Sequence, residues 1–93
     1  MMSAYEANKA TKERLDQVAK EFIINTIEEE VRKAVNEGLF GTTVDIADPR
    51  DQRAAERIAE ILRDEYRFSV ELTPSAFDSP CWVDISWEAN NED

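Results

Sequence analysis

Histidine is absent from this chain of 93 residues, and cysteine, glycine and proline are scarce, with one, two and three copies. Without histidine, the usual general base near neutral pH is missing, together with Ser-His and Cys-His nucleophile pairs and most zinc sites. The single Cys81 cannot form an internal disulfide, so packing alone must hold the fold, which suits a reducing compartment. We therefore expect no enzyme, no bound cofactor and no metal centre.

Long apolar runs and an excess of basic residues are absent as well. No run approaches the ~18 apolar residues of a membrane span, and no apolar segment follows Met1 as in a secretory signal. The formal net charge is −10, from 21 acidic and 11 basic side chains, and this charge disfavours phosphate backbones and anionic membranes. We expect a cytoplasmic protein that binds neither nucleic acid nor membrane directly.

A long N-terminal helix is the dominant predicted element. Residues 1–37 contain neither proline nor glycine, and Gly38 is the first residue able to end a helix. Ser3 and Glu6 have the spacing of a capping box at its start. A helix over 4–37 would be about 50 Å long at ~1.5 Å per residue, whereas a five-residue strand covers about 17 Å. The helix must therefore overhang the rest of the domain.

The apolar residues of this helix form two stripes that do not share a face. At about 100° per residue, the second stripe is centred about 150° further round than the first. The change falls near Asn25 and Thr26, which are weak helix formers. The first stripe comprises Leu15, Val18, Ala19 and Phe22; the second comprises Ile24, Ile27, Val31, Ala34 and Val35, with Ile23 between them.

Two explanations of this change remain open besides a frayed N-terminus. The helix breaks near Asn25 and both halves pack on one core, or it is continuous and residues 1–21 project as a helical extension. Overhanging apolar side chains need a partner, and a second copy of the chain is the simplest one because most soluble oligomers are symmetric. The second explanation predicts a homo-oligomer, most simply a dimer, with Leu15, Val18, Ala19 and Phe22 in its interface.

The rest of the chain predicts a strand, a helix and two further strands. Residues 42–46, 68–72 and 81–87 alternate polar and apolar side chains, and Asp48-Pro49 begins a helix that runs to about Tyr66. The strand–helix–strand connection implies a parallel pair, with the last strand antiparallel to the second, either beside it or next to the first.

The predicted fold is one α+β domain over residues 1–93, arranged as a two-layer sandwich. The long N-terminal helix is followed by β-α-β-β, and both helices cover one face of a three-stranded mixed sheet. We expect residues 88–93 to be a disordered acidic tail.

The exposed face of the sheet is the candidate binding surface. Solvated sheet faces are ordinary in antiparallel pairs, but tryptophan is enriched at interface hot spots. Packing of Trp82 beneath the loop at 73–80, against Phe77, is the other possibility. The residues predicted to form a partner-binding surface are Trp82, Asp84, Glu71 and Asp45.

Other reactive side chains have structural explanations. Asp45, Asp48 and Asp51 surround a strand-to-helix turn, where capping accounts for them, and they lack the glycine of an EF-hand loop. Cys81 has no neighbouring base in the sequence, so we expect a small buried residue there.

The succession VDI, helix, FSVEL, loop, VDISW resembles a group of small uncharacterised proteins encoded by bacteriophages and prophages. In these an N-terminal helix precedes β-α-β-β, and the last strand ends in isoleucine-x-tryptophan. The resemblance implies a virus-encoded accessory or structural protein in the host-cell cytoplasm, not an enzyme, and it supplies no functional residues. It covers 31–87, with matches at 44–46, 58–62 and 68–72 and at Val83, Ile85 and Trp87.

Two functional hypotheses follow from these patterns. The first is a non-enzymatic interaction protein of phage type that self-associates through its N-terminal helix. The second is an acidic inhibitor that presents carboxylates as nucleic acid presents phosphates, and so binds a basic site on a host or phage protein. Acidic residues are spread over the whole chain with basic ones between them, which favours the first. A third class is a hydrolase or transferase that uses carboxylates alone. It predicts turnover that is lost when one Asp or Glu is substituted.

Overall fold

The computed structural model describes residues 1–73 and 81–88. Most of the loop predicted at 73–80 and of the tail predicted at 88–93 therefore lies outside the described residues. In chain order the elements are α1 (Ala4–Phe22), a π-helical segment (Ile23–Ile27), α2 (Glu28–Asn36), β1 (Gly41–Ile46), α3 (Pro49–Arg53), α4 (Ala55–Asp64), β2 (Ser69–Thr73) and β3 (Cys81–Ser86).

The long N-terminal helix begins and ends as the sequence predicts. The Ser3 side chain accepts a hydrogen bond from the Glu6 amide at 3.1 Å, and the Glu6 carboxylate accepts one from the Ser3 amide at 3.0 Å. At the other end Gly38 has φ of 80°, a left-handed conformation that costs glycine little. The Leu39 amide then donates to the Ala34 carbonyl at 2.9 Å, which satisfies a carbonyl of the last turn.

The π-helical segment explains the change of face between the two apolar stripes. Within it the helix continues, and the Glu28 amide donates to the Ile23 carbonyl, five residues back. One extra residue in a turn rotates the following helix by about 100°, which cancels most of the offset. The first stripe, together with Ile27 and Val31 of the second, therefore packs in or against the same core, and the helix does not break near Asn25. Ile24 and Val35, which the sequence placed in the second stripe, are exposed instead.

The part of the helix that overhangs the domain is shorter than predicted. Residues 1–14 are exposed, but Val18, Ala19 and Phe22 are buried and Leu15 packs against the same core. These four residues were expected in an interface between two copies. In the folded chain they instead pack in or against its own core, with α3 and α4 next to α1.

The sheet confirms the α+β sandwich but not its mixed character. Its strand order is β1-β3-β2, and β3 runs antiparallel to both neighbours. β1 and β2 point the same way, as the crossover requires, but they are separated by β3. Both hydrogen-bonded pairs are therefore antiparallel.

The second predicted helix, 49–66, is divided at Ala54 into α3 and α4. Asp48 caps α3, accepting a hydrogen bond from the Arg50 amide at 2.8 Å, as predicted. The helices cover one face of the sheet, with the core between the two layers, and Cys81 is buried there as expected. The largest fully buried side chains are Ile27, Ile46, Ile58, Leu62, Ile85, Val83 and Cys81. None of the helices in the described part of the chain is both long and apolar enough to cross a membrane.

Candidate functional site: the open sheet face

The face of the sheet turned away from the helices is built from alternate residues of the three strands. Asp84 of β3 lies opposite Thr43 of β1 and Glu71 of β2. The strand pairing therefore brings together the four residues that the sequence selected. We define the open sheet face as Thr43, Asp45, Ser69, Glu71, Thr73, Trp82, Asp84 and Ser86.

The central row of this face places two carboxylates side by side. The Thr43 hydroxyl donates a hydrogen bond to the Asp84 carboxylate, while Glu71 occupies the position on the other side of Asp84. Directly opposed residues on antiparallel strands have Cβ atoms about 4.5–5.5 Å apart, and like charges in such a pair are destabilising. The pair therefore weakens the sheet rather than stabilising it.

The next row contains the tryptophan. Trp82 lies between Asp45 of β1 and Thr73 of β2 and is partly exposed, whereas Asp45 is exposed. An indole ring beside carboxylates is a good acceptor for a cation, because its face attracts positive charge and the carboxylates pair with it. Arginine suits such a site best, since its guanidinium group both stacks and donates hydrogen bonds.

The charge of the open sheet face is of one sign. Its charged members Asp45, Glu71 and Asp84 are all acidic, and none makes an ion pair with a residue in the described ranges. Ion pairs form elsewhere, on the helices, where basic side chains are interspersed. The negative charge on the sheet is therefore left for solvent or for a partner.

Shifted pKa values occur at residues of the helices. Hydrogen bonds from Lys20 and then from Arg57 lower the pKa of Asp16, and the same contact with Asp16 raises the pKa of Arg57. Burial, followed by repulsion from Asp48, raises the pKa of Asp51 at the start of α3. Among residues 1–73 and 81–88, no cluster of histidine, cysteine or carboxylate side chains is arranged to hold a metal ion.

An apolar cleft that the sequence pattern did not indicate lies on the helical side of the molecule. It has a volume of about 250 Å³ and lies between the π-helical segment, α2 and the end of α4. Tyr66 and Phe68 stack there with ring centroids 6.2 Å apart, and Trp87 follows at 5.9 Å from Phe68. The cleft depends on the rotation of α2, so the sequence pattern without the π turn could not reveal it. Its lining residues are Ile23, Ile27, Glu28, Val31, Arg32, Leu62, Tyr66 and Phe68.

Comparison with known proteins adds no relative. No family model matches the chain, and neither a curated protein nor a solved structure matches it. The resemblance to phage-encoded proteins therefore stays an expectation from the sequence pattern.

Proposed function

We propose that this protein is a non-enzymatic interaction protein whose open sheet face binds a basic surface on a partner protein. The observation that carries the proposal is the group of three carboxylates around Trp82. Asp45, Glu71 and Asp84 share one face with the indole, and no lysine or arginine lies among the residues that define that face.

The energetic cost of this arrangement supports a role in binding. A lysine or threonine in place of Glu71 would relieve the repulsion across the Glu71–Asp84 pair. Local arrangements that destabilise a fold, with no compensating contact nearby, are expected at the surface where a protein binds its partner. A cationic partner would neutralise the pair and turn the unfavourable contact into a favourable one.

The chemistry of the partner follows from the surface. Arginine or lysine side chains would stack on Trp82 and pair with the carboxylates, and the net charge of −10 would accelerate the encounter. Basic sites of this kind also accept the phosphates of nucleic acids, so the proposal corresponds to the acidic-inhibitor hypothesis. A phage-type accessory role is compatible with it and rests on the resemblance alone.

A matched pair of charge variants tests the proposal. In D45N/E71Q/D84N the open sheet face loses its charge, whereas E29Q/E37Q/E65Q removes three exposed carboxylates elsewhere. Both variants change the net charge equally. With a short arginine-rich peptide as the probe, calorimetric titration at low and physiological salt should show affinity lost in the first variant and largely retained in the second. An equal loss in both would show that only net charge matters, and the proposal would fail.

Fluorescence adds a measurement at the site itself. The chain has two tryptophans, so W87F leaves Trp82 as the single reporter. The peptide should change the emission of Trp82 in that variant. In W82F, where Trp87 reports from the helical side of the sheet, the peptide should leave the emission unchanged. A response confined to Trp87 would place the binding surface elsewhere.

A further inference from the structure

A second copy of the chain is a fitting partner for the outer side of α2, away from the open sheet face. We propose that α2 pairs antiparallel with α2 of a second copy across a two-fold axis near Glu30. In this pairing Glu28 of each copy faces Arg32 of the other, and Ile24 faces Val35. The inference does not depend on the proposed function, because it uses a different surface.

The first observation is a pair of exposed apolar residues at the two ends of one helical side. Ile24 is 59% exposed and Val35 is 54% exposed, although both are large apolar side chains. Ile24 lies in the π-helical segment one turn before Glu28, and Val35 lies in α2 one turn after Arg32, so both share the side that carries Glu28 and Arg32. Apolar residues aligned along an outer side of a helix indicate a surface that is covered by something else.

The second observation is a pair of charges, Glu28 and Arg32, that form no ion pair with any residue in the described ranges. Glu28 and Arg32 have the i,i+4 spacing of an intrahelical ion pair, but no such pair forms. Lys33 pairs instead with Glu30, at 3.5 Å. Glu28 and Arg32 also line the same apolar cleft, which shows that they lie on one side of the helix. Both charges are thus available to a neighbouring molecule.

The third observation is that this side of α2 is complementary to itself. Glu28 and Arg32 lie equally far from Glu30, and Ile24 and Val35 lie equally far from it to within one residue. A two-fold interface requires that when one residue contacts a second, the second contacts the first in the other copy. An antiparallel pair of helices centred near Glu30 meets this requirement for the ionic and the apolar contacts together.

The apolar cleft extends the contact beyond the helix. Val31 lines it between Glu28 and Arg32, and Tyr66, which is 44% exposed, lies on the far side. A contact made by one helix and one aromatic ring is smaller than the ~800 Å² per partner of a standard interface. The dimer should therefore be weak and dependent on concentration, and repulsion between two acidic chains makes moderate salt the suitable condition.

Sedimentation equilibrium of the full chain from micromolar to millimolar concentration tests the pairing. E28R and R32E each place like charges opposite one another, so each should raise the dimer dissociation constant at least about tenfold. An equimolar mixture of the two variants should form one-to-one heterodimers, because each charge then meets its opposite. The double variant E28R/R32E should dimerise as the wild-type chain does.

Controls separate this contact from general charge effects. E29R and K9E change the net charge by the same amounts at exposed positions that the pairing does not use, and they should leave dimerisation unchanged. Circular dichroism of each variant checks that the fold is retained. I24E should weaken the dimer through loss of the apolar contact with Val35, with Glu28 and Arg32 left in place. A wild-type chain that is monomeric at millimolar concentration would overturn the proposal. So would a mixture of E28R and R32E that stays monomeric. D45N/E71Q/D84N leaves this surface intact, so the two proposals fail separately.

Discussion

Arg57 of α4 holds Asp16 of α1 through two nitrogens, with Nε and Nη2 each 2.7 Å from Oδ1 of the carboxylate. Lys20 approaches the other oxygen, Oδ2, at 3.0 Å. The contact lies where the exposed start of α1 ends and its buried part begins, so it fixes the point at which the helix leaves the domain.

Replacing Asp16 with asparagine should lower the free energy of unfolding at neutral pH and change how that free energy falls in acid. The pKa of Asp16 is lowered in the folded state from its ordinary value of 3.8, so its contribution is present above that value. The contribution is lost as the pH falls through the lower folded-state pKa. The difference between wild type and D16N, measured by urea unfolding, should therefore shrink in strong acid. E13Q, at an exposed position on the same helix, is the matched control for the loss of one negative charge.

Phe22→Ala should destabilise the fold by about 3–5 kcal/mol, since removal of a buried phenylalanine side chain leaves a cavity in the core. Phe22 is buried in its own chain. Urea denaturation measures the loss. If F22A kept wild-type stability and instead abolished self-association, the result would support the interface predicted from the sequence.

Deletion of Asn25 should leave the protein folded. Asn25 is an exposed residue of the π-helical segment, and a chain shorter by one residue can continue there as a regular α-helix with both stripes on one face. We expect a change in unfolding free energy below about 1 kcal/mol. Insertion of an alanine after Asn25 is the matched control: it rotates α2 by a further ~100° and should cost more than about 3 kcal/mol. Equal effects of deletion and insertion would contradict this account.

Glu71→Gln should raise stability by a few tenths of a kcal/mol, because it removes the repulsion from Asp84 across the β2–β3 pair. The same substitution should weaken binding of an arginine-rich peptide. In this one variant, stability measured by thermal unfolding should thus rise while peptide affinity measured by calorimetric titration falls. Glu65→Gln, on the exposed surface outside the sheet, should leave both quantities nearly unchanged.

Local signals in the sequence account for the ends of the elements. The capping box at Ser3, the left-handed Gly38 and the Asp48-Pro49 helix start depend on neighbouring residues, and each was predicted. Strand alternation likewise predicted which side of β3 is buried. These features are decided within a few residues, so a pattern can show them.

Relations between distant parts of the chain could not be predicted in this way. The two stripes of the long helix could be explained by a break or by a partner, and the π turn became evident only with the core they share. The position of β3 between β1 and β2 depends on pairing across about forty residues, for which the sequence offers no local signal. The four residues predicted to form the binding surface were chosen from alternation alone, and the strand order determines which of them are neighbours.

The position of β3 also bears on how the protein is made. β1 and β2 each form their ladder with β3 and are not neighbours of one another, so no sheet exists until residues 81–86 have been synthesised. A nascent chain that ends earlier can form its helices, but it must leave Val44, Ile46 and Val70 without the strand that lies between them. Such a chain exposes apolar side chains and unpaired strand edges to chaperones and proteases. Because β3 follows β1 and β2 in the chain and lies between them, this sheet can form only after all three strands have been synthesised.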